Sequence, residues 1–170
     1  MKTLEKYFLA FNRWVLICIL AAMAVIVFAN VALRYTTDAS IAWSEETARY
    51  LMIWLTFLGC GPVLRYGGHI AVDNLQEALP RRLAMVLRAL IALLLLAVFV
   101  FFIWFGIDYM KRTQYQLTPS TQVPFAWVYA ALPIGMAMTV VHWLLIVRDY
   151  VTDRRFAADA HFDATASASL

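Results

Sequence analysis

Four long apolar runs, each bracketed by charged or polar residues, leave this 170-residue chain few ways to fold. A helix needs roughly 20 apolar residues, at about 1.5 Å each, to cross a bilayer's ~30 Å hydrocarbon core. Trp14–Leu33 supplies one such run between Arg13 and Arg34, and Ala89–Ile107 another between Arg88 and Asp108. A third extends from Pro124 to Val147, just before Arg148. The Ala22-Met23-Ala24 step resembles a signal-cleavage site, but the apolar run continues to Leu33, too long for a signal core, so it reads as an anchor that stays. The remaining run is uncharged only from Tyr50 to Leu64, which covers about 22 Å of helix and falls short of the hydrocarbon. Its helix must therefore begin earlier, with Ser44 as the expected N-cap and Glu45 and Glu46 in the first turn.

The predicted class is an all-α membrane protein with four transmembrane helices, over approximately residues 14–34, 45–66, 87–109 and 124–147. These form one membrane domain, residues 1–155. Composition agrees: 64% of residues are hydrophobic and 15% charged, where a soluble domain holds about half and a quarter. Pro124 suits a first helical turn, whereas Pro62 and Pro133 lie inside spans and should kink or open them. Asn30 and His142 are expected to make interhelical hydrogen bonds, and Cys18 and Cys60 to be buried small hydrophobes.

Ten of the fourteen Lys and Arg side chains fall on one side of the spans, leaving Arg34, Arg49, Lys111 and Arg112 on the other. Positive charge favours the cytoplasm, so both termini are expected there. Between the second and third spans, Ala71, Leu75, Ala78 and Leu79 share one helical face. A short amphipathic helix on the cytoplasmic surface, ended by Pro80, is the expected form, with His69 and Asp73 spaced to pair. The polar loop from Lys111 to Gln122 should be exposed or pack on a partner, and the tail, residues 156–170, should be disordered.

Several function classes fall away. Net charge is only +3 and the basic residues are scattered, so nucleic-acid binding is excluded. The centres of the spans lack Asp, Glu, Lys and Arg, which argues against a stand-alone ion-coupled carrier. Only one histidine lies within a span, too few for a haem held by two, and no nucleophile–base pair or metal-ligand spacing stands out. No catalytic residue, metal or cofactor is expected, and the chain reads as a non-enzyme.

The densest polar feature is Trp43-Ser-Glu-Glu-Thr-Ala-Arg-Tyr-Leu-Met-Ile-Trp54. Glu45 and Arg49 are four apart and can pair, as are Tyr50 and Trp54. Glu46, Arg49, Tyr50, Ile53 and Phe57 form a stripe along one helical face. Two readings stand: an interfacial cap in which Arg49 snorkels, or a contact that satisfies the acids with residues of another protein.

At these residues the sequence resembles a known family. Arg34-Tyr35 ends the first span, and Trp43-Ser-Glu-Glu-x-x-Arg49-Tyr50 opens the second after a short loop. Ile53-Trp54-x-x-Phe57-x-Gly59 and Gly68-His69-Ile70-x-Val72-Asp73 follow. The combination is similar to the DctQ-type small permease subunit of tripartite ATP-independent periplasmic (TRAP) transporters, while the later half agrees mainly in span count and length. The resemblance implies two partners, a large membrane permease subunit that carries the substrate and sodium sites and a periplasmic binding protein that delivers an organic acid. It implies a scaffold role here, with lipids around it. Arg34, Trp43, Glu45, Glu46, Arg49, Tyr50, Trp54, His69 and Asp73 are the expected partner-interface residues. The rival reading is a free-standing four-helix carrier or channel acting as a homo-oligomer; a quinone- or haem-binding subunit is a third.

Overall fold

A computed structural model describes residues 2–66 and 79–153. The expected amphipathic helix, with His69 and Asp73, and the tail from residue 156 lie outside the described residues. The described chain forms α1 (Lys2–Thr37), α2 (Ser44–Arg65), α3 (Arg81–Thr113), α4 (Phe125–Tyr129) and α5 (Ala131–Asp153). Four helical stretches are long and apolar enough to cross a membrane, with α4 and α5 together making the fourth. The molecule is a multi-pass membrane protein.

Helix α2 shows how the sequence solves its length problem. Its 22 residues give about 33 Å, enough to cross only because Ser44 to Arg49 are recruited into the helix. Ser44 is not the N-cap: Trp43 holds that position, and the buried Ser44 hydroxyl donates to the Ile41 carbonyl at 2.7 Å. Pro62 leaves α2 continuous. Pro133 does not spare its helix, because it lacks the N–H that would serve the Tyr129 carbonyl, and the chain divides at Ala130 into α4 and α5. Pro124 sits one residue ahead of α4, in the N-cap position.

The spans pack as a row rather than a closed bundle. Among the described residues α2 packs on α1 and on α5, α5 packs on α3, and α1 makes no backbone-level approach to α3. The order across the row is α1, α2, α5, α3. Small residues set the central crossing: a Cβ on Gly135 would stand 2.6 Å from the Phe57 Cβ and 2.7 Å from its carbonyl, and one on Gly61 would collide with the His142 ring. Gly106 plays the same part between α3 and α5, against Pro133. A core of Leu64, Ala92, Trp143, Ile146 and Tyr150 fills the Arg65 end, with the Trp143 and Tyr150 rings 5.3 Å apart. About half of the α4–α5 span is buried, while the apolar stretch of α1 buries nothing fully.

Two expectations about single residues fail. Cys18 is exposed on α1, because α1 is an edge helix, and Cys60 is half-buried with its thiol directed at the Thr56 carbonyl. Among the described residues Asn30 bonds to no other helix; its Oδ1 accepts the Ile41 amide at 2.7 Å and holds the α1–α2 loop.

Candidate functional site

The two ends of the row carry the polar chemistry, and they are built differently. At the α2 N-terminal end, residues 114–124 fold into a compact turn centred on Thr118, which is fully buried. Thr118 N–H donates to the Val123 carbonyl at 3.0 Å, and its own carbonyl accepts the Gln122 amide at 3.2 Å. Gln122 adopts a left-handed φ of 54°, and its side-chain amide steadies that geometry by donating to the Thr118 and Pro119 carbonyls. Leu117 and Pro124 close the turn as an antiparallel bridge.

Glu46 fastens this turn to α2. Its carboxylate accepts the Ser120 amide at 2.8 Å, the Thr121 amide at 3.2 Å and the Thr121 hydroxyl at 2.7 Å. The loop expected to face a partner is thus engaged by the chain's own helix. Glu45 and Arg49, spaced to pair, form no ion pair with each other among the described residues. Both are exposed and line a cleft of about 410 Å³ with Glu46, Tyr50, Ile53, Ser120, Phe125 and Tyr129. Rings continue from this cleft across the row: Tyr50 meets Phe125 edge-on at 6.3 Å, Phe125 stacks on Tyr129 at 5.9 Å, and Tyr129 meets Tyr109 of α3 at 4.7 Å.

Tyr50 also borders a second, apolar notch of about 220 Å³ with Leu51, Trp54, Val123 and Trp127. The expected residues therefore divide. Glu45, Glu46, Arg49 and Tyr50 share the cleft and Trp54 lines the notch. Trp43 is exposed at the α2 N-cap and Arg34 is exposed in the last turn of α1, outside both.

The opposite end holds a buried polar cluster that the sequence reading missed in part. His142 is 0% exposed, and so is Asn12 of α1, whose amide nitrogen lies 3.1 Å from His142 Nε2 and 3.5 Å from the Leu58 carbonyl. That carbonyl is available because Pro62, four residues on, has no N–H to give it. The carbonyl also orients the Asn12 amide, since the flipped amide would set oxygen against oxygen. His142 Nε2 is then the acceptor, and the proton of the neutral ring sits on Nδ1. His142 makes the interhelical bond expected of it. Beside it, buried Arg65 pairs with Glu5 of α1, and Phe8 lies against the His142 ring at 4.9 Å. Asn12 and Glu5 escaped notice because they precede the first apolar run, although an uncharged polar residue just ahead of that run was the available signal. No group of three or more His, Cys, Asp or Glu side chains converges to hold a metal among the described residues.

The model of the family "Tripartite ATP-independent periplasmic transporters, DctQ component" matches residues 23–152. Among similar proteins, the sialic acid TRAP transporter small permease protein SiaQ of Vibrio cholerae is 23% identical, over 85% of this chain and 83% of its own. The ectoine TRAP transporter small permease protein TeaB of Halomonas elongata is 28% identical, over 78% and 69% respectively. The sialic acid TRAP transporter permease protein SiaT of Haemophilus influenzae is 25% identical over 76% of this chain, which spans only 21% of that protein's length.

Proposed function

The chain belongs to the DctQ component family of tripartite ATP-independent periplasmic transporters, and we propose that it serves as the small scaffold subunit of one. Members of this family are permease components of transporters, not enzymes. The supporting observation is one of length. One similar protein, named a small permease protein, is matched over 83% of its length, whereas another, named simply a permease protein, is matched over 21%. The remainder of that longer chain corresponds to a large permease subunit, and in this reading such a subunit is what the four spans support.

In this reading the chain enlarges the fixed part of the permease and carries no transport site of its own. Substrate and sodium bind in the large subunit, and a periplasmic protein delivers the substrate, an organic acid of the kind named for the sialic acid relatives. Both termini face the cytoplasm, so the α2 N-terminal end faces the periplasm. Arg34 and Trp43, which are exposed, and Trp54, which lines the notch, are offered to protein partners there, Glu45 and Arg49 face the cleft, and His69 and Asp73 serve at the cytoplasmic side. Glu46 acts indirectly by holding the 114–124 turn in place. A free-standing carrier is disfavoured because, among the described residues, His142 is the only His, Asp, Glu, Lys or Arg side chain buried within a span away from the helix ends, and it is engaged by Asn12.

Reconstitution tests the proposal. Proteoliposomes receive this chain alone, a large permease subunit from the same genome alone, or both, with the cognate binding protein and a labelled panel of organic acids. Uptake is expected only with both subunits. Uptake by this chain alone would overturn the scaffold reading.

A further inference from the structure

We propose that the cleft beside α2 holds the headgroup of a zwitterionic phospholipid, its phosphate on Arg49 and its primary ammonium on Glu45. Three observations lead there. First, Arg49 forms no ion pair or hydrogen bond among the described residues, although Glu45 lies one turn away on the same helix. Glu46, the other acid within reach, spends its carboxylate on the Ser120–Thr121 turn. The cleft thus presents one uncommitted cation and one uncommitted anion of the same helix face, and the space beside them measures about 410 Å³.

Second, the two charges bracket the hydrocarbon boundary. Helix α2 needs Ser44 to Arg49 to complete its crossing, so Glu45 stands at that boundary and Arg49 just inside it, where a long apolar stem can carry the guanidinium up to phosphate level. Glu45 lies about 6 Å further toward water, four residues of helical rise. In an aminophospholipid the phosphodiester lies deeper and the amine further out. The order of charges along α2 matches the order in such a lipid, whichever face of the membrane this end occupies. The guanidinium fork also fits two phosphate oxygens at once.

Third, the lower wall of the cleft is apolar and aromatic, formed by Ile53, Phe125, Val128 and Tyr129. It suits the glycerol and first methylenes below a phosphate. A headgroup with phosphate alone would satisfy Arg49 but leave Glu45 beside added negative charge. The site therefore selects an amine-bearing lipid over an acidic one. This inference requires only that α2 spans a bilayer, and it stands or falls separately from the scaffold role.

The test uses the full chain, purified and incubated with equal phosphatidylethanolamine and phosphatidylglycerol, with bound lipid read by native mass spectrometry. A charge pair at this depth supplies up to about fivefold in relative retention, so wild type should favour phosphatidylethanolamine by that order. Arg49→Gln should lose the retained lipid of both kinds, whereas Glu45→Gln should keep it and lose the preference. Lys111→Gln, an exposed cation outside the cleft, should change neither. Equal retention of the two lipids by wild type, retention unaffected by Arg49→Gln, or an equal loss with Lys111→Gln would each overturn the proposal. So would displacement of the lipid on co-expression with a large permease subunit that cross-links through position 49, which would assign the cleft to protein.

Discussion

At Glu46 the direction of every proton can be worked out. A carboxylate only accepts, so the Thr121 hydroxyl must donate to it at 2.7 Å. The Thr121 oxygen is then free to accept from the Thr118 hydroxyl, also at 2.7 Å, and Thr118 Oγ1 in turn accepts the Val123 amide at 3.0 Å. The result is a one-way chain, Val123 to Thr118 to Thr121 to Glu46, in which each bond polarises the next. Only an ionised oxygen pair at its end can take all three donors, the Thr121 hydroxyl and the Ser120 and Thr121 amides, together. Glu46→Gln keeps the shape but offers one acceptor oxygen and turns an N–H₂ toward donors. The expected outcome is faster amide exchange at Thr121 and Val123, on the order of tenfold, with α2 itself unchanged. Unaltered exchange at both amides would mean the turn holds itself. The sequence made Glu46 conspicuous but not its partner, because 74 residues separate it from Ser120 and nothing local to either declares the bond.

Between elements, backbone approach decides more than side-chain size. Two features were legible because they are local: Pro133 strands the carbonyl four residues before it, and the short uncharged run forces α2 to start in its charged segment, whereas Pro62 strands a carbonyl too and leaves α2 unbroken. Which helices touch was not legible, since it depends on where a missing side chain meets another chain segment. Gly59, Gly61 and Gly135 look alike in sequence, yet a Cβ on Gly59 meets nothing within 4 Å, while one on Gly135 meets the Phe57 backbone. Gly135→Val should therefore pry α5 from α2 and lower stability by about 1–3 kcal/mol or more, because the backbone it strikes cannot swing aside. Gly59→Ala should be neutral or raise stability by up to about 1 kcal/mol through helix propensity. Unfolding in detergent micelles measures both, and similar losses for the two variants would show that the crossing is not set at Gly135.

At the scale of the whole molecule, the row follows from the solvent. Lipid gives helices no hydrophobic reason to close into a bundle, so they associate only where small residues or polar bonds favour it. Such sites join α1 to α2, α2 to α5 and α5 to α3, and the wide apolar flanks of α1 and α3 stay uncovered. Among the described residues the backbone of the edge helix α1 packs only on α2, and Asn12, with Phe8 beside it, reaches past α2 to α5. Asn12 is therefore the residue that fixes the angle of the first span against the rest. Asn12→Leu leaves His142 Nε2 and the Leu58 carbonyl without a donor while the Glu5–Arg65 pair remains. The cost is about 0.5–2 kcal/mol, a modest sum that falls on one helix. Spin labels at the exposed Lys6 and Asp149 positions should then show a broadened distance distribution, whereas labels at Met52 and Val141, on α2 and α5, should keep the wild-type width. Equal broadening of both pairs would place Asn12 in the general stability of the row, and no broadening of the first pair would show that Glu5 and Arg65 suffice to hold α1.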